Sequence, residues 1–341
     1  MHEIFNFRKF AFPRIAIRPC AIPLLVLIGL SIGAPAPTNA QHISKRPKIG
    51  LVLGGGGAKG SSHVGVLKVI EELRIPIDYV AGTSMGAIVG GLYASGMSPD
   101  DIEREMLAMD WEDLFDDEPP RPDRPFRRKQ DDEDYLVKRK PGFSDGRIKI
   151  PLGLVQGQKF ALALNRLSLS MMDVNDFDDL PIPFRAVASD IETGEMVVLG
   201  SGSLARAIHA SMAVPGAFGP VEIDGRLLVD GGISNNLPIS VAREMGADVV
   251  IVCDLSQELK KAEEIDSVLS MIGQLSALLT AKNAAAQRAT LTESDIYIKA
   301  NLRGISSASF DKIAEGISYG VEAGRAASER LMAHAVSPLV Y

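Results

Sequence analysis

Two segments of the chain share one order: an apolar run, a turn that contains glycine, then a predicted helix. The first is Lys48–Leu53 (KIGLVL), Gly54–Gly57, and a helix with Val66, Val69, Ile70 and Leu73 at i, i+3, i+4 and i+7. The second is Tyr79-Val80-Ala81, the turn Gly82–Gly86, and a helix over Ala87–Ala94 that Gly96 stops. Strands that are apolar without alternation must be covered on both faces. Strands that feed helices reach their neighbours by crossover. The pattern therefore predicts an α/β fold of three layers, α/β/α, around a central, mostly parallel sheet. Other segments agree. Ser98-Pro99 opens a helix with Asp100, Asp101 and Glu103 in its first turn, where acids suit the helix dipole. Residues 183–199 read as two strands around Thr193-Gly194, and Val221–Val229 as a hairpin around Asp224-Gly225. Ala247–Asp254 reads as a buried strand and residues 310–334 as a C-terminal helix.

The first forty residues stand apart. Arg8, Lys9, Arg14 and Arg18 precede an apolar run, Ala21–Ala34, and then Thr38-Asn39-Ala40, small at the two positions a signal peptidase reads. Basic, apolar, small is the layout of a secretory signal. The expectation is a signal peptide over 1–40, a domain over 41–341 with its core at about 47–333, and export to the periplasm or beyond. An uncleaved membrane anchor is the alternative, because the basic stretch is long. After cleavage Cys253 is the one remaining cysteine, so an exported chain must be stable without an internal disulfide. It lies in VVIVCDL and reads as a small core residue. The composition of the 341 residues, 46% hydrophobic and 23% charged, excludes a disordered chain or a coiled coil. A formal net charge of −7 argues against a general nucleic-acid binder. Residues 116–150, rich in proline and charge, read as an irregular excursion.

Three short segments carry chemistry. Gly82-Thr83-Ser84-Met85-Gly86 is a G-x-S-x-G between a strand and a helix. A sharp turn there lifts a serine hydroxyl clear of the sheet, and the helix N-terminus behind it favours developing negative charge. The bland alternative is a tight turn whose serine caps the helix. Gly54–Gly57 with Ala58, Lys59 and Gly60 exposes amides without side-chain cover. Such amides suit an oxyanion or a phosphate. Gly55-x-Gly57-x-x-Gly60 also fits a dinucleotide fingerprint, but the acid expected at the end of the second strand is replaced by Ala81-Gly82-Thr83-Ser84. The Walker pattern fails because Gly60, not Ser or Thr, follows Lys59. The third segment is Asp230-Gly231-Gly232, directly after the hairpin. A serine nucleophile needs a base, and no histidine lies in a glycine-rich loop after a strand. His63 falls in the first helix and His209 at the end of another. Asp230 does lie in such a loop. An exposed aspartate is a feeble base, and desolvation beside an apolar substrate raises its pKa. Asp224-Gly225, six residues earlier, is the plain turn against which that reading is weighed.

Taken together, GGGGAKGSSHVGVL (54–67), GTSMG (82–86), ASMAVPGAFGP (210–220) and DGG (230–232) resemble the bacterial patatin-like phospholipases. The branch is the one similar to the neuropathy target esterase catalytic domain, and the resemblance covers roughly residues 47–333. It implies a patatin-like fold and a lipid acyl hydrolase with a Ser–Asp dyad. Ser84 is then the nucleophile and Asp230 the base, with an oxyanion hole from Gly55, Gly56 and Gly57. Lys59, Gly60, Gly82, Gly86, Gly231 and Gly232 support these motifs, and no metal or cofactor is implied. The chain departs from the family pattern at Ser61-Ser62, where apolar residues are common, and at His209, where arginine is expected.

The implied substrate is a phospholipid or another acyl ester. Phe160, Leu164, Leu167 and Met171 form a helical stripe that suits a lipid surface, a homodimer contact or, most simply, the core. Arg121, Arg124, Arg127, Arg128 and Lys129 suit anionic head groups, yet Asp131–Asp134 follow at once. A transient membrane contact is expected, without nucleic acid. Two other functions stay open: a dinucleotide-binding protein, and a lipid-binding protein with an inactive dyad.

Overall fold

The two apolar runs become neighbouring parallel strands, β1 (Ile49–Leu53) and β2 (Tyr79–Thr83). The computed structural model describes residues 46–341 apart from 120, 128, 131–141, 145, 150–152, 257–258, 260 and 266–267. The signal read at 1–40, Arg128 and the acidic run Asp131–Asp134 lie outside the described residues. Six more strands complete the main sheet: β3 (Phe184–Asp190), β4 (Met196–Leu199), β5 (Val221–Ile223), β6 (Arg226–Asp230), β7 (Val249–Asp254) and β8 (Ile296–Lys299). Their order is β8-β7-β1-β2-β3-β6-β5, with β4 paired to β3. The run from β8 to β3 is parallel, while β4, β5 and β6 pair antiparallel. The hairpin turns at Thr193-Gly194 and Asp224-Gly225 stand where the sequence places them, and Asp224 and Gly225 both have positive φ.

Seven helices are used below: α1 (Ser61–Glu72), α2 (Met85–Ala94), α3 (Pro99–Ala108), α4 (Gln158–Leu167), α5 (Leu204–Met212), α6 (Val268–Arg288) and α7 (Ile313–Ala326). They cover both faces. Leu51, Leu53, Ile251 and Cys253 belong to a core shared with α1, α2, α5 and α7. The alternating residues Val52, Val250 and Val252 belong to a second core with Leu237, Val241 and Ala284 of α6. Period-two alternation along strands buried on both sides produces these two cores. Phe160, Leu164 and Leu167 on α4 are buried, so that stripe is core and not a lipid or dimer surface. Burial pushes the Cys253 thiol up to about 12, which leaves it inert. In the charged excursion, Arg124 pairs with Glu118 at 2.6 Å and the Lys129 ammonium donates to the Pro122 carbonyl at 3.0 Å.

The C-terminal segment is not one helix. It breaks into a 3₁₀ turn at Phe310–Lys312, α7, and a short helix at Ser328–Met332. The long middle piece is set by α1, against which α7 packs nearly backbone to backbone. A Cβ added to Gly320 would overlap the Ser62 carbonyl oxygen, and one added to Gly65 the Ile317 carbonyl oxygen. An exposed helix glycine gains about 0.5–1 kcal/mol on replacement by alanine. Gly320→Ala is expected to reverse that sign and lose about 1–3 kcal/mol through overpacking, read as a lower urea midpoint.

Candidate active site

Ser84 sits between the last residue of β2 and the first of α2, with φ 55° and ψ −123°. A non-glycine residue held there carries strain of about 1–3 kcal/mol, which persists only where its surroundings over-determine it. They do. The Ser84 amide donates to the Ser211 hydroxyl at 2.9 Å, and the Ser84 carbonyl accepts from Ala87 at 2.8 Å and Ile88 at 3.2 Å. Gly86 lies against the Leu53 carbonyl so closely that any Cβ would overlap it. The Ser84 side chain makes no capping bond to α2. Its hydroxyl is therefore not spent on the helix, as the bland reading required.

Asp230 ends β6. The sheet register brings it level with Ser84: Thr83 pairs with Val187 on β3, and the next β3 residue, Ala188, pairs with Asp230. The chain then crosses over the middle of β3 toward β2. Gly231 allows this, since a Cβ there would overlap the Val187 carbonyl. The Thr83 hydroxyl donates to the Asn235 carbonyl at 2.9 Å and closes the crossing. One Asp230 oxygen, Oδ1, accepts from the Gly232 amide at 2.7 Å. Burial pushes the carboxyl up to about 6, against a smaller downward pull from the hydroxyl of Ser84 and the Gly232 amide. Asp224, by contrast, is the corner of an exposed hairpin.

The glycine loop after β1 abuts this pair; a Cβ added to Gly55 would lie 3.0 Å from the Ser84 Cβ. Its amides are not equivalent. Gly54 donates to the Cys253 carbonyl at 3.1 Å, Gly55 to the Asn236 carbonyl at 3.3 Å and Ala58 to the Ser307 carbonyl at 2.9 Å. Among the described residues the amides of Gly56 and Gly57 have no such partner. Of the three donors expected from sequence, Gly55 is thus already engaged, because Asn236 clamps it from both sides: the Asn236 Nδ2 also donates to the Gly55 carbonyl at 3.2 Å. Lys59 is buried beside the loop, and burial lowers its pKa to about 8 despite the opposing field of Asp254. Gly60 packs on Met85, the first residue of α2.

The histidines stand aside. His63 is fully buried, and its Nε2 donates to the Gly54 carbonyl at 2.8 Å. Burial lowers its pKa to about 4, so it stays neutral and braces the start of the loop. His209 packs edge-on to Phe160 at 5.7 Å, and burial lowers its pKa too. Sequence reading missed the residues that hold the loops together. The Asn283 amide on α6 donates to the Gly232 carbonyl at 2.8 Å, and its oxygen accepts from the Asn236 amide at 2.9 Å. Thr280, one turn earlier, donates to the same Gly232 carbonyl at 3.1 Å. Ser211 lies inside the third quoted motif; α6 left no single apolar stripe by which to find it.

A serine on a strand-to-helix elbow, a buried carboxylate facing its hydroxyl and a row of uncovered amides define a class of site suited to acyl transfer. The patatin-like phospholipase family model matches residues 51–243, more than half of the chain, and the chain belongs to that family. It is 30% identical over 316 residues to the patatin-like phospholipase domain-containing protein ZK370.4 of Caenorhabditis elegans, covering 83% of this chain and 21% of that protein. It is 36% identical over 214 residues to human patatin-like phospholipase domain-containing protein 6, covering 62% of this chain and 13% of that protein. An uncharacterized NTE family protein of Mycobacterium tuberculosis strain H37Rv is 33% identical over 223 residues, covering 65% of this chain and 53% of that one. The chain thus spans roughly a fifth, an eighth and a half of these relatives. Among solved structures, VipD from Legionella pneumophila aligns with a TM-score of 0.46 at 16% identity, over 85% of this chain and 67% of that chain.

Asp230→Asn keeps an acceptor for the Gly232 amide and removes the charge. The folded carboxyl titrates at about 6 against an ordinary 3.8, so folding favours the protonated form. The ionised form costs stability that grows as pH rises from about 4 to 6 and is complete above that. The variant is therefore expected to be more stable than the parent by on the order of 3 kcal/mol at pH 8, with no gain near pH 4, in urea unfolding.

Proposed function

We propose that this chain is a serine lipid acyl hydrolase, a carboxylic ester hydrolase of the phospholipase A or lysophospholipase type. Ser84 attacks the ester carbonyl as Asp230 takes its proton. The oxyanion is received by the amides of Gly56 and Gly57, with the Lys59 charge behind them. Asp230 then passes the proton to the leaving alcohol, and water, deprotonated by the same carboxylate, releases the acyl group from Ser84. The observation that carries this reading is the buried Asp230 carboxyl facing the Ser84 hydroxyl with its pKa raised to about 6. That value keeps it ionised at neutral pH yet basic enough to share a hydroxyl proton.

The choice of a lipid ester is supported by the family and by α6. Met271, Leu275, Leu278 and Leu279 are exposed on this helix, which contains no acidic residue and holds the base loop through Thr280 and Asn283. We assign the expected membrane contact to that face, with export still the expectation for the chain as a whole.

Three outcomes test this. A fluorophosphonate probe is expected to label the parent and not Ser84→Ala, while Asp230→Asn loses about 10²–10⁴-fold in ester turnover. Labelling of Ser84→Ala equal to the parent would overturn the nucleophile. The pH profile of kcat/KM is expected to rise through about 6 as Asp230 ionises and to fall above about 8 as Lys59 loses its proton. Lys59→Met should abolish the fall and leave the rise. The double variant Leu275→Asp/Leu279→Asp is expected to keep turnover of a soluble short-chain ester and lose it on phosphatidylcholine vesicles; equal losses on both would refute the membrane assignment.

A further inference from the structure

The C-terminal turn of α5 touches both halves of the site without reaching into it. The Ser211 hydroxyl accepts from the Ser84 amide at 2.9 Å and donates to the Val187 carbonyl on β3 at 2.6 Å. The Ser211 carbonyl accepts from the Gly231 amide at 3.3 Å, and the Ala213 carbonyl from the Asp230 amide at 2.9 Å. One turn of helix thus ties the serine elbow, the middle strand and the base loop to a common point. Ser211 has no solvent exposure, so none of these bonds can be exchanged for water.

From this we infer that Ser211 is a positioning residue for the nucleophile; the inference rests on the hydrolase reading above. Its hydroxyl is the one group whose hydrogen bond opposes relaxation of Ser84 from φ 55° at the amide end of the residue. The hydroxyl is used in both directions, accepting from one loop and donating to the next strand. Only a residue with an acceptor and a donor on one small atom can do this. The same bond has a chemical consequence. The amide of Ser84 is occupied, so it is withheld from the oxyanion, and the donors come from the glycine loop. Ser211 therefore acts on the rate of acylation through the aim of the Ser84 hydroxyl, not through substrate affinity and not through the pKa of Asp230.

The test compares Ser211→Ala, Ser211→Cys and Ser211→Thr with the parent in the full chain. The measurements are the fluorophosphonate labelling rate, kcat and KM for a short-chain nitrophenyl ester, and the thermal midpoint. Removing a buried hydroxyl that satisfies two backbone groups is expected to lower the labelling rate and kcat about 10- to 100-fold in Ser211→Ala. KM should stay within about two-fold and the acid limb near pH 6 unmoved, since the base is untouched. Ser211→Thr, which keeps the hydroxyl, should recover most of the rate, and Ser211→Cys, a weaker partner of similar shape, should fall between. If Ser211→Ala does not fold, the cysteine and threonine variants carry the same comparison. A labelling rate per folded molecule equal to the parent in Ser211→Ala or Ser211→Cys would overturn the inference. So would a threonine variant no faster than the alanine or cysteine one, or a loss expressed in KM alone. Failure of the parent itself to label would overturn the hydrolase reading instead, which keeps the two separable.

Discussion

The site depends on one unfavourable act: keeping the carboxylate of Asp230 out of water. Charge in a low-dielectric interior is costly, and the raised pKa measures that cost. Two groups pull the other way, the Gly232 amide and the Ser84 hydroxyl. The first is fixed backbone. The second is a side-chain hydroxyl that donates to the carboxylate. The desolvation that makes the carboxylate basic thus also directs it toward its partner. Lys59 shows the complementary effect, a cation made less stable by burial beside the glycine loop.

Geometry of this kind requires backbone segments to approach more closely than side chains allow. The elbow passes the end of β1 at Gly86, and the loop after Asp230 passes the middle of β3 at Gly231. Once the segments are that near, their polar groups must be satisfied by one another. Asn236, Asn283, Thr280 and Ser211 do so, each bonding backbone distant in sequence from itself. The result is a set of three loops tied to one another by short polar side chains.

Much of this was legible in the sequence. The glycine turns after apolar runs announced the parallel strands, and the two Asp-Gly pairs could be told apart by what precedes and follows them. Helix α6 and strand β8 were not legible. Met271, Leu275, Leu278 and Leu279 are exposed, so the hydrophobic pattern of α6 does not mark a buried face. Nor could a sequence reveal which glycine amides remain unengaged. Gly55 looks the same as Gly56 and Gly57 until its amide is seen to donate to the Asn236 carbonyl, far along the chain. The clasp made by Ser211 is of the same type: the residue lies within ASMAVPGAFGP, but the sequence does not say which strand its hydroxyl reaches.

The glycine loop after β1 is braced by a segment far along the chain. Ala58 bonds the Ser307 carbonyl, and α7 lies flush on α1, the helix that the loop opens. A ribosome delivers these segments in order, some 250 residues apart. Serine and carboxylate can therefore both have left the exit tunnel while the amides that would receive an oxyanion still lack their final support. The final form of that loop is then acquired only after the segment around Ser307 and α7 has emerged and folded back onto it.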